Sequence, residues 1–86
     1  MHLDRMARRG MELERQKAAA IQGGQRQIAR GDRPTWRLTA APGERWVIVG
    51  LDWLALSSRS RGAALDEARV TIAALLAVPP DAFDVL

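Results

Sequence analysis

Apolar positions fall into two regimes along the chain. Over residues 1–33 they are sparse and spaced three or four apart. Leu3, Met6, Leu13, Ala20 and Ile28 sit near an a/d spacing, with Gly10, Lys17 and Gly24 at the intervening seam positions. The segment is rich in alanine, arginine and glutamine, which favour helix, and it has no β-branched run. The pattern predicts a helix over residues 3–22, broken at Gly23-Gly24, with a short helical or loose piece to Gly31. A heptad interrupted this often falls below what a coiled coil shows.

From Gly31-Asp32-Arg33-Pro34 onward the period changes to two. Thr35–Ala41 alternates Trp36, Leu38 and Ala40 against Arg37 and Thr39, as a half-buried strand does. Pro42-Gly43-Glu44 is turn chemistry, since proline presets φ and glycine tolerates positive φ. Arg45–Leu51 then runs back, rich in β-formers, to complete a hairpin, and Trp53–Ser57 reads as a third strand after a bend at Gly50–Asp52. Ser60 is placed to cap a helix over Ala63–Ala77, whose Leu65, Ala68, Ile72, Leu75 and Leu76 share one face. Asp66 and Glu67 suit its positive end. Pro79-Pro80 stops it, and Ala82–Leu86 alternates like a last short strand. The expected organisation is a basic helical arm at residues 1–33 and an α+β domain at residues 34–86. In that domain a small antiparallel sheet, in the order β-β-β-α-β, carries one helix.

Length and composition narrow the classes. Eighty-six residues support one compact core, and 48% hydrophobic with 27% charged residues is globular. The absence of cysteine excludes disulfides, thiol catalysis and cysteine-based zinc sites. The longest charge-free apolar run, Val70–Pro80, is far short of the roughly 20 residues of a membrane span. The N-terminus mixes Asp4 and Glu12 with arginines and lacks the apolar stretch of a secretory signal. A cytoplasmic protein with no membrane partner is expected. Twelve arginines against one lysine, with fifteen alanines, point to GC-rich coding of an actinobacterial type.

Net charge is +3 and the pI about 11.0. The high pI reflects how little titrates between neutrality and the arginines. Distribution says more than the total. Residues 1–37 hold nine basic and four acidic side chains, a local charge of +5, and residues 38–86 hold four and six, a charge of −2.

Convergent titratable groups are not legible. The lone histidine is His2, and Asp66 and Glu67 lie about 100° apart around a helix. Ser57, Ser58 and Ser60 have no base nearby in sequence, and the glycines do not form a phosphate loop. The expectation is a non-enzyme with no catalytic residue, metal or cofactor.

Binding is better supported. Trp36, Trp46 and Trp53 fall within eighteen residues, and tryptophan is enriched at the energetic centres of interfaces as well as in small cores. In Arg45–Leu51, Trp46 and Ile48 point one way while Val47, Val49 and Leu51 point the other. One helix covers one side of a sheet, so the other side needs the N-terminal helix, a second copy of the chain or a foreign partner. In the arm, Arg5, Arg8, Arg9, Arg15, Lys17, Arg26, Arg30 and Arg33 are candidates for phosphate contacts with nucleic acid, which give affinity without sequence choice.

Arg45-Trp46-Val47-Ile48-Val49, Leu51-Asp52, Ser58-Arg59-Ser60-Arg61, Ala64-Leu65-Asp66-Glu67-Ala68-Arg69 and Val78-Pro79-Pro80-Asp81-Ala82-Phe83-Asp84-Val85 together resemble the short HicB-family antitoxins of actinobacteria. The resemblance spans residues 35–86. It implies a partial RNase H-like fold without nuclease carboxylates, and an antitoxin that binds and masks a small basic RNA-cleaving toxin of the HicA type. In that reading Trp36, Trp46 and Trp53 form the partner contact with Arg59 and Arg61 at its rim, and the protein is a homo-oligomer. Two other readings stay open: a nucleic-acid-binding regulator gripping through the arginine-rich arm, and an oligomerisation scaffold with no toxin.

Overall fold

The alanine-, arginine- and glutamine-rich start of the chain forms a single helix, α1 (His2–Ala29), in the computed structural model, which describes residues 2–86 and the side chains of residues 10–86. The break expected at Gly23-Gly24 does not occur. Two interior glycines weaken a helix by about 1 kcal/mol each relative to alanine. Gly24, however, is buried, and a Cβ there would lie 3.2 Å from both Leu76 methyls and from Trp36 Cη2. The missing side chain lets α1 approach closely. Gln25 Nε2 then donates to Leu76 O at 3.1 Å. The helix stops at Gly31, whose φ of +88° is the left-handed conformation glycine accepts; Asp32 N donates back to Gln27 O at 2.9 Å.

The strand expected over Thr35–Ala41 is interrupted at Arg37, giving β1 (Thr35–Trp36) and β2 (Leu38–Ala41). The hairpin forms as its sequence indicates: β2 pairs antiparallel with β3 (Arg45–Ile48), from Leu38↔Ile48 to Ala41↔Arg45. Its turn holds Gly43 at φ +79° and Glu44 at φ +57°. The last strand, β4 (Asp84–Val85), is shorter than Ala82–Leu86 and pairs parallel with β1, in the register Thr35↔Asp84 and Trp36↔Val85. The α+β class holds, but the sheet is therefore mixed rather than wholly antiparallel. The connection between this parallel pair runs through the hairpin and the second helix, α2 (Arg61–Leu76), which leads from β3 to β4. Leu38 N donates to Leu86 O at 2.7 Å and Val49 N to Arg37 O at 2.8 Å, so one segment joins the two strand pairs.

Trp53–Ser57 is not a strand. Gly50, at φ +85°, turns the chain so that Leu51 N donates to Ile48 O at 2.9 Å and Leu51 bridges back onto β3. Leu51 thus enters the core instead of sharing a side with Val47 and Val49. Ser60 caps α2 as expected, its hydroxyl accepting from Ala63 N at 3.3 Å. The first turn of α2 holds no acid, because Asp66 and Glu67 lie further in. Ala77 ends the helix in the left-handed conformation, with Pro79-Pro80 beyond.

The core joins Leu38 and Ile48 from the hairpin, Ala68, Ile72 and Leu76 from α2, and Phe83 and Val85 from the last segment. Ala20, Ile21 and Ile28 of α1 pack against the same core, so the C-terminal half of α1 is built into the domain. Both helices lie on one side of the sheet. The molecule is only 16 Å across its thinnest dimension, about one layer of helix over one layer of strands.

Candidate interaction face

Strand pairing sorts the sheet residues by side. Leu38, Ile48, Trp36 and Val85 face the helices, so Arg37, Thr39, Val47, Val49 and Leu86 project the other way. Among the described residues no helix covers that second side. Val49 is 55% exposed and Leu86 56%, with Val47 half-buried. Arg37 lies in register between Val49 and Leu86, and Arg45 two residues from Val47; both are exposed and both are outside the ion pairs of the described residues.

The carboxylate at a position on this side, Asp84, is already engaged. Arg33 Nε donates to its Oδ2 at 2.9 Å and Arg33 Nη2 to its Oδ1 at 3.0 Å. The same guanidinium donates to the Asp81 and Phe83 carbonyls. The hydrogen bond from Arg33 holds the Asp84 carboxyl below its ordinary range, and the Asp84 hydrogen bond raises Arg33 in return. Arg33 therefore ties the end of the α1–β1 link to the turn before β4. The net −2 of residues 38–86 does not describe this face, whose free side-chain charges are cationic.

The three tryptophans lie on the helix side, each half-buried. Trp36 meets Phe83 edge-on, with centroids 5.4 Å apart and planes at 82°, and touches the Gly24 surface of α1. Trp46 donates its indole N–H to Arg59 O at 2.8 Å. Trp53 lines a cleft with Ala20, Ile21 and Leu75, and Lys17 Nζ lies 5.7 Å from its ring centroid. Arg59 and Arg61 are exposed on the loop leading into α2. The fold thus brings Trp46 and Arg59 together but sets all three indoles apart from the Val47–Val49–Leu86 side.

The loop carrying Arg59 is held from two directions. Trp46 takes the Arg59 carbonyl, while Glu67 accepts from Ser57 N at 2.7 Å, Ser57 Oγ at 2.7 Å and Ser58 N at 3.1 Å. The Ser57 hydroxyl, then the Ser58 N–H, hold the Glu67 carboxyl below its ordinary range. By sequence alone Glu67 reads as a helix-start acid. Nothing in the spacing of Ser57, Ser58 and Glu67 marks that contact in the sequence.

Of the arm's basic residues, Arg15, Arg26 and Arg30 are exposed, with Arg30 Nη2 3.8 Å from Asp32. Lys17 is drawn to Glu14 and Trp53, and Arg33 to Asp84. The side chains of Arg5, Arg8 and Arg9 lie outside the described residues. Among the described residues no three His, Asp or Glu side chains gather as a metal site, and no helix is long and apolar enough to cross a membrane. The chain matches no family model, no curated protein and no solved structure.

Proposed function

We propose that this chain is a masking protein, an antitoxin of the HicB kind that occludes the active surface of a small RNA-cleaving toxin by binding it through the open side of its sheet. One observation carries the reading: both helices pack on the same side, leaving Val47, Val49 and Leu86 uncovered on the other. A sheet side that no helix covers among the described residues, carrying exposed aliphatic groups beside unpaired arginines, suits an interaction surface. The resemblance of residues 35–86 to the antitoxin family supplies the identity of the partner. In this reading the tryptophans act through the scaffold, Trp46 fixing the Arg59 loop on the helix side, and the cations beside the open side are Arg37 and Arg45.

The test is expression of the small reading frames beside this gene. A neighbouring frame should arrest growth, and co-expression of this chain should relieve the arrest. Val49→Asp should abolish relief while leaving circular dichroism unchanged, because Val49 lies outside the core. Arrest relieved equally by Val49→Asp, or no arresting neighbour, overturns the reading.

A second reading is favoured by the outer face of α1. Arg15, Arg26 and Arg30 fall within about 60° of arc, away from the docked Ala20, Gly24 and Ile28. Such a stripe suits phosphate contacts, and binding to random DNA that falls steeply with salt and is lost on replacing these three would support it.

A further inference from the structure

The open sheet side has a charge pattern as well as an apolar centre. Arg37 lies next to Val49 across the hydrogen bond from Val49 N to Arg37 O, and Leu86 flanks it on the other side, where Leu86 N donates to Trp36 O at 2.9 Å. Arg37 therefore lies in register between two exposed aliphatic residues. Arg45 stands two residues from Val47 on the same side of β3. Asp84 is neutralised by its paired bonds from Arg33.

We propose that this surface docks a segment of a partner protein that presents aliphatic side chains flanked by carboxylates. Val47, Val49 and Leu86 receive the aliphatic groups, and Arg37 and Arg45 receive the carboxylates. The inference rests on the reading that the open side of the sheet is the partner surface, and it names the chemistry that side selects. Charge complementarity decides the occupant. A second copy meeting the first face to face would bring together two surfaces whose free side-chain charges are all arginine, Asp84 of each being held by its own Arg33, and like charges at an interface select against a partner. The chain's own α1 is held on the opposite side by Gly24 and Gln25. A toxin with a basic total charge can still present such a segment, because the segment's local charge governs docking.

The experiment pans a random-peptide library displayed on phage against the immobilised full chain and maps enriched peptides by amide chemical shifts. Expected are peptides combining aliphatic residues with Asp or Glu, which perturb Val47, Val49 and Arg37. Their affinity should fall about tenfold in Arg37→Glu/Arg45→Glu and in Val49→Asp, and should weaken as salt rises. Peptides that perturb the same residues but carry no acidic bias, and bind the double arginine variant equally well, overturn the charge assignment and leave the open-side reading standing. Peptides that map elsewhere, no enrichment at all, or a homodimer dispersed by Val49→Asp overturn both. The substituted side chains are exposed, so loss of fold is checked independently by tryptophan emission.

Discussion

Gly24 of α1 lies against the indole of Trp36, so near that a Cβ at residue 24 would sit 3.2 Å from Cη2. Its neighbour Gly23 has nothing within 4 Å of the same construction. The two glycines are equivalent in helix propensity and opposite in packing. Gly23→Ala should raise stability by about 1 kcal/mol, the usual gain for alanine over glycine in a helix. Gly24→Ala should forfeit that gain and push α1 away from α2, with a red shift in tryptophan emission. Urea unfolding followed by circular dichroism separates the pair, and equal stabilisation by both would refute the close contact.

Two carboxylates make the fold acid-sensitive. Glu67, held by Ser57 and Ser58, and Asp84, held by Arg33, both have folded pKa values below their ordinary ones. A depressed carboxylate contributes stability that is full above its unfolded pKa, near 4, and is lost as pH falls through the folded value. The urea midpoint should therefore be flat from neutrality to about pH 5 and decline below it. Glu67→Gln and Asp84→Asn should each be less stable at pH 7 and show a shallower acid decline. A decline unchanged in both variants would place the acid sensitivity elsewhere.

Elements whose local chemistry and tertiary role agree were legible in the sequence. The β2–β3 hairpin follows from Pro42-Gly43 between β-forming runs, and α2 from its Ser60 cap and apolar stripe. The open side of the sheet was anticipated from the alternation in Arg45–Leu51, though Leu51 itself left that set. Where local propensity and packing disagree, the sequence points away from the fold. Gly23-Gly24 looks like a break because the contact that requires Gly24 comes from Trp36 and Leu76, remote in sequence. Trp53–Ser57 has strand composition, but the positive φ of Gly50 folds Leu51 back onto Ile48 before a third strand can pair. The Arg33–Asp84 and Glu67–Ser57 bonds carry no spacing signature, since they join polar residues that any loop could leave in solvent.

Ala77 ends α2 at φ 55° and ψ 46°, with its N–H directed to the Ala73 and Ala74 carbonyls. Val78 N also donates to Ala73 O at 3.0 Å, completing a helix-ending motif that usually places glycine at this position. An L-residue pays a penalty in the left-handed region that glycine does not. Ala77→Gly should stabilise the protein by about 0.5–1 kcal/mol, net of glycine's greater freedom in the unfolded chain. A thermal midpoint that rises tests this, and a fall would show that the Ala77 methyl matters more than its backbone.

The arginines of the arm divide by what they touch, and stability measurements can expose the division without any ligand. Arg15 and Arg26 are exposed, and among the described residues neither takes part in an ion pair. Replacing either with alanine should shift stability by no more than about 0.5 kcal/mol, as at surface sites free of special contacts. Arg33 is also exposed, yet it binds both Asp84 oxygens and the Asp81 and Phe83 carbonyls, fixing the segment that carries Phe83 into the core and β4 against β1. Arg33→Ala should therefore lower the unfolding midpoint clearly and accelerate amide exchange at Asp84 and Leu86, whose N–H groups bond Pro34 O and Trp36 O. Arg33→Lys should rescue little, because an ammonium cannot reproduce the two-pronged contact with the carboxylate. Equal tolerance of alanine at residues 15, 26 and 33 would refute the clamp and return Arg33 to the set of cations free to meet a phosphate backbone.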